Sequence, residues 1–240
     1  VRCLMKTEDC YGIRLREQRI VKHKLLRILR VGVPTGIQGA MFSISNVVIQ
    51  SSINSFDSSI IVAGNTASGN IEGFVYTAMN AFYQASLTFT SQNVGAHQTR
   101  RILPVLGWSL LCVTVVGVAT GVLAVLFGPQ LLGIYSPDEE VIAYGLERLR
   151  LICLTYFLCG TMDVVTGSIR GLGPSVTPAV ISLLGVCGLR IVWIYTVFAA
   201  HRSLMVLYLS YPVSWLITLV VNIICFAVFF KRWKKRIEAK

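Results

Sequence analysis

Charge is scarce in this chain, and negative charge most of all. Charged residues make up 14% of the 240, with 11 Asp and Glu against 22 Lys and Arg. Soluble domains carry about a quarter, so an ordinary soluble domain is excluded, and the apolar residues fall in long blocks rather than at core periodicity. The seven cysteines form no Cys-x-x-Cys pair and cluster with none of the three histidines, which excludes a recognisable zinc site or disulfide framework. Cys112, Cys153, Cys159, Cys187 and Cys225 read as small packing residues inside apolar blocks. The chain has no HExxH, no GxSxG and no paired aspartates at matching depth, so neither an enzyme nor a cofactor is expected. The first thirty residues lack the apolar stretch of a signal peptide. The chain opens on Val1 rather than Met, which suggests a piece of a longer frame.

What is present is length in the apolar runs. Six blocks, at 31–56, 60–94, 103–127, 141–169, 174–200 and 203–230, each exceed the about 20 residues a helix needs to cross a hydrocarbon core of about 30 Å. Lipid cannot satisfy backbone polar groups, so helices are the economical choice. The fold class predicted is all-α: a polytopic membrane protein with a six-transmembrane-helix bundle over 31–230. Residues 1–30 form a basic cytoplasmic linker or an amphipathic surface helix, since Ile20, Val21, Leu25, Ile28 and Leu29 recur at helical spacing among Lys and Arg. Residues 231–240 form a basic cytoplasmic tail.

The net charge of +11 would suggest nucleic acid in a soluble protein. Here it reports topology instead, and no nucleic-acid partner is expected. With the N-terminus in the cytoplasm, all but four of the Lys and Arg fall in cytoplasmic segments. Arg148, Arg150 and Arg190 lie within spans, and Arg202 alone is in an outer loop, beside outer acids Asp57, Asp138, Glu139 and Glu140. This bias predicts a multi-pass protein of the plasma (inner) membrane with both termini cytoplasmic.

Several spans carry polar stripes that a lipid anchor does not need. In the first, Gly32, Gly36, Gly39, Ser43, Asn46, Gln50 and Asn54 recur at spacings of three and four, and Pro34 is expected in the first turn. In the second, Glu72, Tyr76, Met79 and Tyr83 share a face that could hold an organic cation, next to a row containing Asn80 and Gln84. In the fourth, Asp163 lies six residues before Arg170, about 9 Å into the helix, with Tyr156, Cys159 and Thr166 on its face. Intramembrane acids are rare and by default functional. Burial favours the neutral acid and a nearby cation the ionised one, so such a group can exchange a proton for a metal cation or charged substrate. The alternative is a structural ion pair, with Arg190 as the candidate partner. Glu147 and Arg150, three apart, read as a surface pair. Gly95, Gly171 and Gly173 read as turn residues chosen for backbone freedom.

Three stretches carry a resemblance. VGVPTGIQGAMF, ending at Phe42, resembles the opening of the seventh helix of the multidrug and toxic compound extrusion (MATE) family. SQNVGAHQTRR, over Ser91–Arg101, is similar to that family's Gln-Asn-x-Gly-Ala helix ending. GSIRGLGPSVTP, over Gly167–Pro178, resembles the turn between its tenth and eleventh helices. The resemblance covers residues 12–235. It implies one lobe of a twelve-helix transporter built from two six-helix halves, with the other lobe or a second copy as partner. It further implies antiport of drugs or xenobiotics, cationic by expectation, against Na⁺ or H⁺. Asp163 then represents the tenth-helix acid, as the coupling residue and possible Na⁺ ligand, with Glu72 as the second acid. Gln38, Asn46, Gln50, Tyr76, Met79, Asn80, Tyr83, Gln84 and Tyr156 would line the substrate path. The stretch Phe42–Asn46 departs from the family in lacking the glutamate that some members carry there. A lipid-linked oligosaccharide flippase remains an alternative if Arg148, Arg150 and Arg190 line a cationic cavity, as does a membrane fragment that transports nothing.

Overall fold

The computed structural model describes residues 21–238. Expectations for residues 1–20 and for the last two positions lie outside the described residues. Six long helices follow one another with short turns: α1 (Lys22–Asn54), α2 (Ser59–Gly95), α3 (Thr99–Leu126), then a short α4 (Gly128–Gly133), α5 (Glu139–Gly171), α6 (Val176–Phe198) and α7 (Leu204–Glu238). Length and apolarity alone qualify α3, α5, α6 and α7 as membrane-crossing. Helices α1 and α2, of 33 and 37 residues, are long enough as well, but their amides, hydroxyls and glycines lower their hydropathy.

Two ends differ from expectation. Helix α1 runs without a break from Lys22 into the first span, so Pro34 sits in its interior rather than in a first turn. The basic tail likewise continues α7 as helix to Glu238. Neither segment has a breaker residue at the predicted boundary, and a helix that leaves the membrane need not stop there. Local capping sets other ends. The Ser58 hydroxyl accepts from Ile61 N at the start of α2, and the Asp138 carboxylate accepts from Glu140 N at the start of α5. Acidic residues open α5 and Arg170 closes it, in line with the helix dipole. Of the three glycines expected in turns, only Gly173 has a left-handed backbone, at φ 120°. Gly95 and Gly171 end helices, and the left-handed residue after α2 is His97, at φ 56°.

Helix α5 is the axis of the bundle, packed on α2, α3 and α7. Small residues make those approaches possible, as membrane helices require. A Cβ on Gly121 of α3 would lie 2.3 Å from the Cys153 carbonyl oxygen. A Cβ on Gly171 would meet Thr90 Cβ at 2.7 Å, so this glycine serves close packing rather than a turn. Buried hydroxyls tie the same surfaces: Ser68 Oγ donates to Gly145 O at 2.6 Å, and Ser86 Oγ lies 2.7 Å from Ser168 Oγ. The outward faces are apolar, with Trp108, Val115 and Leu126 on α3 and Val220, Ile224 and Val228 on α7 exposed. Helix α1 is held differently. Ser45, Ile49 and Ile53 are buried near its C-terminal end, while Gly32, Gly36 and Gly39 face open space. Helix α6 contains π-helical turns at Leu183–Gly188 and Ile194–Phe198, on either side of Arg190. At the first, a Cβ on Gly185 would lie 2.3 Å from Thr218 Oγ1, so α6 and α7 nearly touch there.

Candidate functional site

Between α1 on one side and α2 and α5 on the other lies a cavity of about 730 Å³, completed by side chains from α6 and α7. The polar stripes of the first, second and fourth spans meet here. Gln38, Asn46 and Gln50 enter from α1, Glu72, Tyr76, Asn80 and Tyr83 from α2, and Tyr156 and Asp163 from α5. Two predicted residues do not. Met79 is 1% exposed and fills the notches left by Gly117 and Gly160 in the α2–α3–α5 core. Gln84 is exposed but outside the cavity lining. Helix periodicity put both near the right stripe, but the α3 and α5 neighbours claim the arc of Met79, and Gln84 lies on an exposed one.

Glu72 is not a free anion. Arg148 grips it at both oxygens, with Nε donating to Oε1 and Nη2 to Oε2, each at 2.7 Å. Arg148 Nη1 donates to Asn65 Oδ1, and Asn65 Nδ2 passes the chain to Gln50 Oε1 at 3.0 Å. A bidentate guanidinium–carboxylate pair neutralises both charges and fixes their geometry. The expected attraction of Glu72 for an organic cation is therefore already taken by Arg148. No ion pair joins Glu147 to Arg150 among the described residues, where both side chains are exposed.

Asp163 stands apart from that pair. Its carboxyl faces the Tyr76 hydroxyl, and the cation acting on it is Arg170. Asn80 Nδ2 donates to the same Tyr76 oxygen at 3.4 Å. Arg170 bridges three helices, its Nη1 donating to Tyr83 Oη at 2.6 Å and its Nη2 to Gln38 Oε1. Counted as a loop charge from sequence, Arg170 reaches into the cavity. Asp163 makes no ion pair within 4.0 Å among the described residues, so the anticipated bridge to Arg190 is not formed. The described residues contain no group of three His, Cys, Asp or Glu that could hold a metal. A Na⁺ ion at Asp163 would have to draw on neutral oxygens such as the Tyr76 hydroxyl.

The third cavity cation is Arg190, considered from sequence as a partner of Asp163 or as part of a cationic cavity, and it lies in the lining between the two π-helical turns of α6. It is 4% exposed. Its Nε donates to Ser214 Oγ at 3.1 Å, and its guanidinium lies 4.1 Å from the Tyr211 ring centroid and 5.6 Å from that of Trp215. Tyr211 thus has Arg190 on one side, with Arg148 5.6 Å from the same centroid.

A family model described as MatE matches residues 34–196, more than half of the chain. The chain belongs to the MATE family. Relatives of this MATE chain include "Probable multidrug resistance protein YoeA" of Bacillus subtilis, 24% identical over 90% of this chain and 46% of that protein. "Probable multidrug resistance protein NorM" of Thermotoga maritima is 24% identical over 68% of this chain and 35% of that one. The fold is shared with solved structures. The crystal structure of MATE in complex with MaL6 superposes with a TM-score of 0.86 at 17% identity, over 97% of this chain and 53% of that one. An outward-facing conformation of a multidrug resistance MATE transporter gives 0.84 at 17% identity, over 97% and 52%. The MATE chain described here spans about half the length of the relatives it matches.

Proposed function

We propose that this chain is a six-helix lobe of a secondary active transporter that exports drug-like molecules across the plasma membrane in exchange for H⁺ or Na⁺, with Asp163 as the coupling residue. One observation carries this reading: of the two cavity carboxylates, Glu72 is neutralised by Arg148 and Asp163 is not ion-paired, so Asp163 is left to bind and release a cation. Tyr76 and Asn80 position it, and Arg170 lies close enough to stabilise its charge once the cation leaves. The cavity is wide enough for a small organic molecule, and Tyr83, Gln38, Asn46, Gln50 and Tyr156 supply its remaining walls.

The partner is a second six-helix lobe, or a second copy of this one. The open glycine face of α1 supports that arrangement, because exposed glycines along Gly32–Gly39 invite close approach of another helix. Both termini are cytoplasmic on this reading. The relatives' names support drug export rather than enzymatic work. A lipid-linked oligosaccharide flippase is less well supported: Arg148 is tied to Glu72, and Arg150 lies outside the cavity.

The test is ion-driven flux. Asp163→Asn, expressed in the full-length context, should insert normally yet lose export driven by a pH or Na⁺ gradient in membrane vesicles. Wild-type rates from that variant would remove Asp163 from the mechanism. A lobe that transports nothing in any context would leave the wild type without gradient-driven flux.

A further inference from the structure

The cavity has an excess of positive charge, and one of its cations has no counter-ion. Its charged lining residues are Glu72 and Asp163 against Arg148, Arg170 and Arg190. Glu72 is ion-paired to Arg148, while Asp163 and Arg170 act on each other without an ion pair within 4.0 Å, so one positive charge is in excess and Arg190 has no carboxylate partner among the described residues. A buried guanidinium is normally paired, because removing it from water without a partner is unfavourable by several kcal/mol. Arg190 is 4% exposed, and among the described residues its one hydrogen bond is from Nε to Ser214 Oγ. Its two terminal amines have no partner there, nor are they sealed in protein; they open on the cavity. The ring of Tyr211 supports the guanidinium but offers no anion. Beside it, Tyr156 and Trp215 form an aromatic wall, their centroids 5.2 Å apart.

We propose that Arg190 is the substrate-recognition residue for an oxyanion: the transported molecule carries a carboxylate, or an equivalent singly charged oxyanion, on an aromatic or amphiphilic body. The terminal amines of Arg190 hold the two oxygens in a fork, as guanidinium does for carboxylate generally. Tyr156 and Trp215 pack the apolar body. This names the substrate class of the cavity and so rests on the transport reading above. It also reverses the expectation of purely cationic cargo, because a zwitterion is accommodated and a simple cation is not favoured. The coupling ion and the oxyanion occupy different residues, so neither displaces the other directly.

The test is binding, which separates it from flux. The full chain is purified in neutral detergent and titrated by equilibrium dialysis with 2-naphthoate, 2-naphthamide and 2-naphthylmethylammonium, which share one body and differ in charge. The wild type should bind 2-naphthoate tightest and the ammonium weakest. Arg190→Gln should weaken 2-naphthoate by about tenfold or more, as loss of a charged hydrogen-bond pair does, and leave 2-naphthamide unchanged. Arg190→Lys should retain part of the preference. Tighter ammonium than carboxylate binding in the wild type overturns the proposal without reference to any variant. So does equal 2-naphthoate affinity in wild type and a folded Arg190→Gln. Displacement of 2-naphthoate when phosphatidylglycerol replaces phosphatidylcholine in nanodiscs would assign Arg190 to a lipid headgroup and also overturn it. Loss of flux in Asp163→Asn with no charge preference in binding would sink this inference and spare the coupling role.

Discussion

Arg148 and Glu72 lie on different helices, each almost wholly buried, and among the described residues each is the other's only ion-pair partner. Breaking such a pair from one side leaves an uncompensated buried ion. Glu72→Gln should therefore destabilise the protein by about 3–5 kcal/mol, seen as a lower melting temperature in detergent. Glu72→Gln combined with Arg148→Gln should recover much of the loss, since both charges are then gone. Asp163→Asn, which breaks no ion pair, should melt close to wild type. The two intramembrane acids were legible in the sequence as rare charges in apolar helices, but which of them is neutralised was not. That depends on a partner 76 positions away, at Arg148. Arg190 was visible as a charge in a span, yet nothing local distinguished it from a structural cation. Met79 shared the spacing of Tyr76 and is core only because Gly117 and Gly160 leave room for its sulfur.

Among the elements, α5 touches almost everything, and glycines set how near its neighbours come. Gly121→Ala would place a methyl 2.3 Å from the Cys153 carbonyl oxygen, which no rotamer can relieve. That substitution should lower stability by about 1–3 kcal/mol. Gly107→Ala on the same helix has nothing within 4 Å and should be neutral or slightly stabilising. A thermal-shift comparison of the two variants distinguishes packing from helix propensity, because propensity alone favours alanine at both positions. The six helices were legible from hydropathy to within a few residues at most inner ends. The outer reaches of α1 and α7 were not, since a helix in water and the same helix in lipid share one backbone and only the composition changes along it. The π-helical turns of α6 left no trace in the sequence, because they arise from how α6 seats against α7.

At the scale of the molecule, the chain is apolar outside and polar within, the arrangement a bilayer selects. Its orientation rests on where the basic residues fall, and that is open to a direct check. In a background without native cysteines, Ser136→Cys should react with a membrane-impermeant maleimide added to intact cells. His97→Cys should react only after permeabilisation, since the turn after α2 faces the cytoplasm on the proposed topology. The reverse pattern would invert the protein in the membrane. The cavity sits against the least-anchored helix, α1, so its volume and the seating of α1 are one variable. The C-terminal end of α1 is buried through Ser45, Ile49 and Ile53, and its N-terminal half is tied to α5 through the hydrogen bond from Arg170 to Gln38.

The wide turns of α6 carry one more consequence. Each holds an extra residue relative to an α-helical turn, so a helical wheel drawn at a constant 3.6 residues per turn is out of phase by about 100° beyond Gly188. Relatives that gain or lose one residue in this stretch can keep both ends of the helix seated and still rotate a guanidinium between the cavity and the lipid. The side of α6 on which Arg190 points is therefore set by the length of Leu183–Gly188, with no substitution at Arg190 itself.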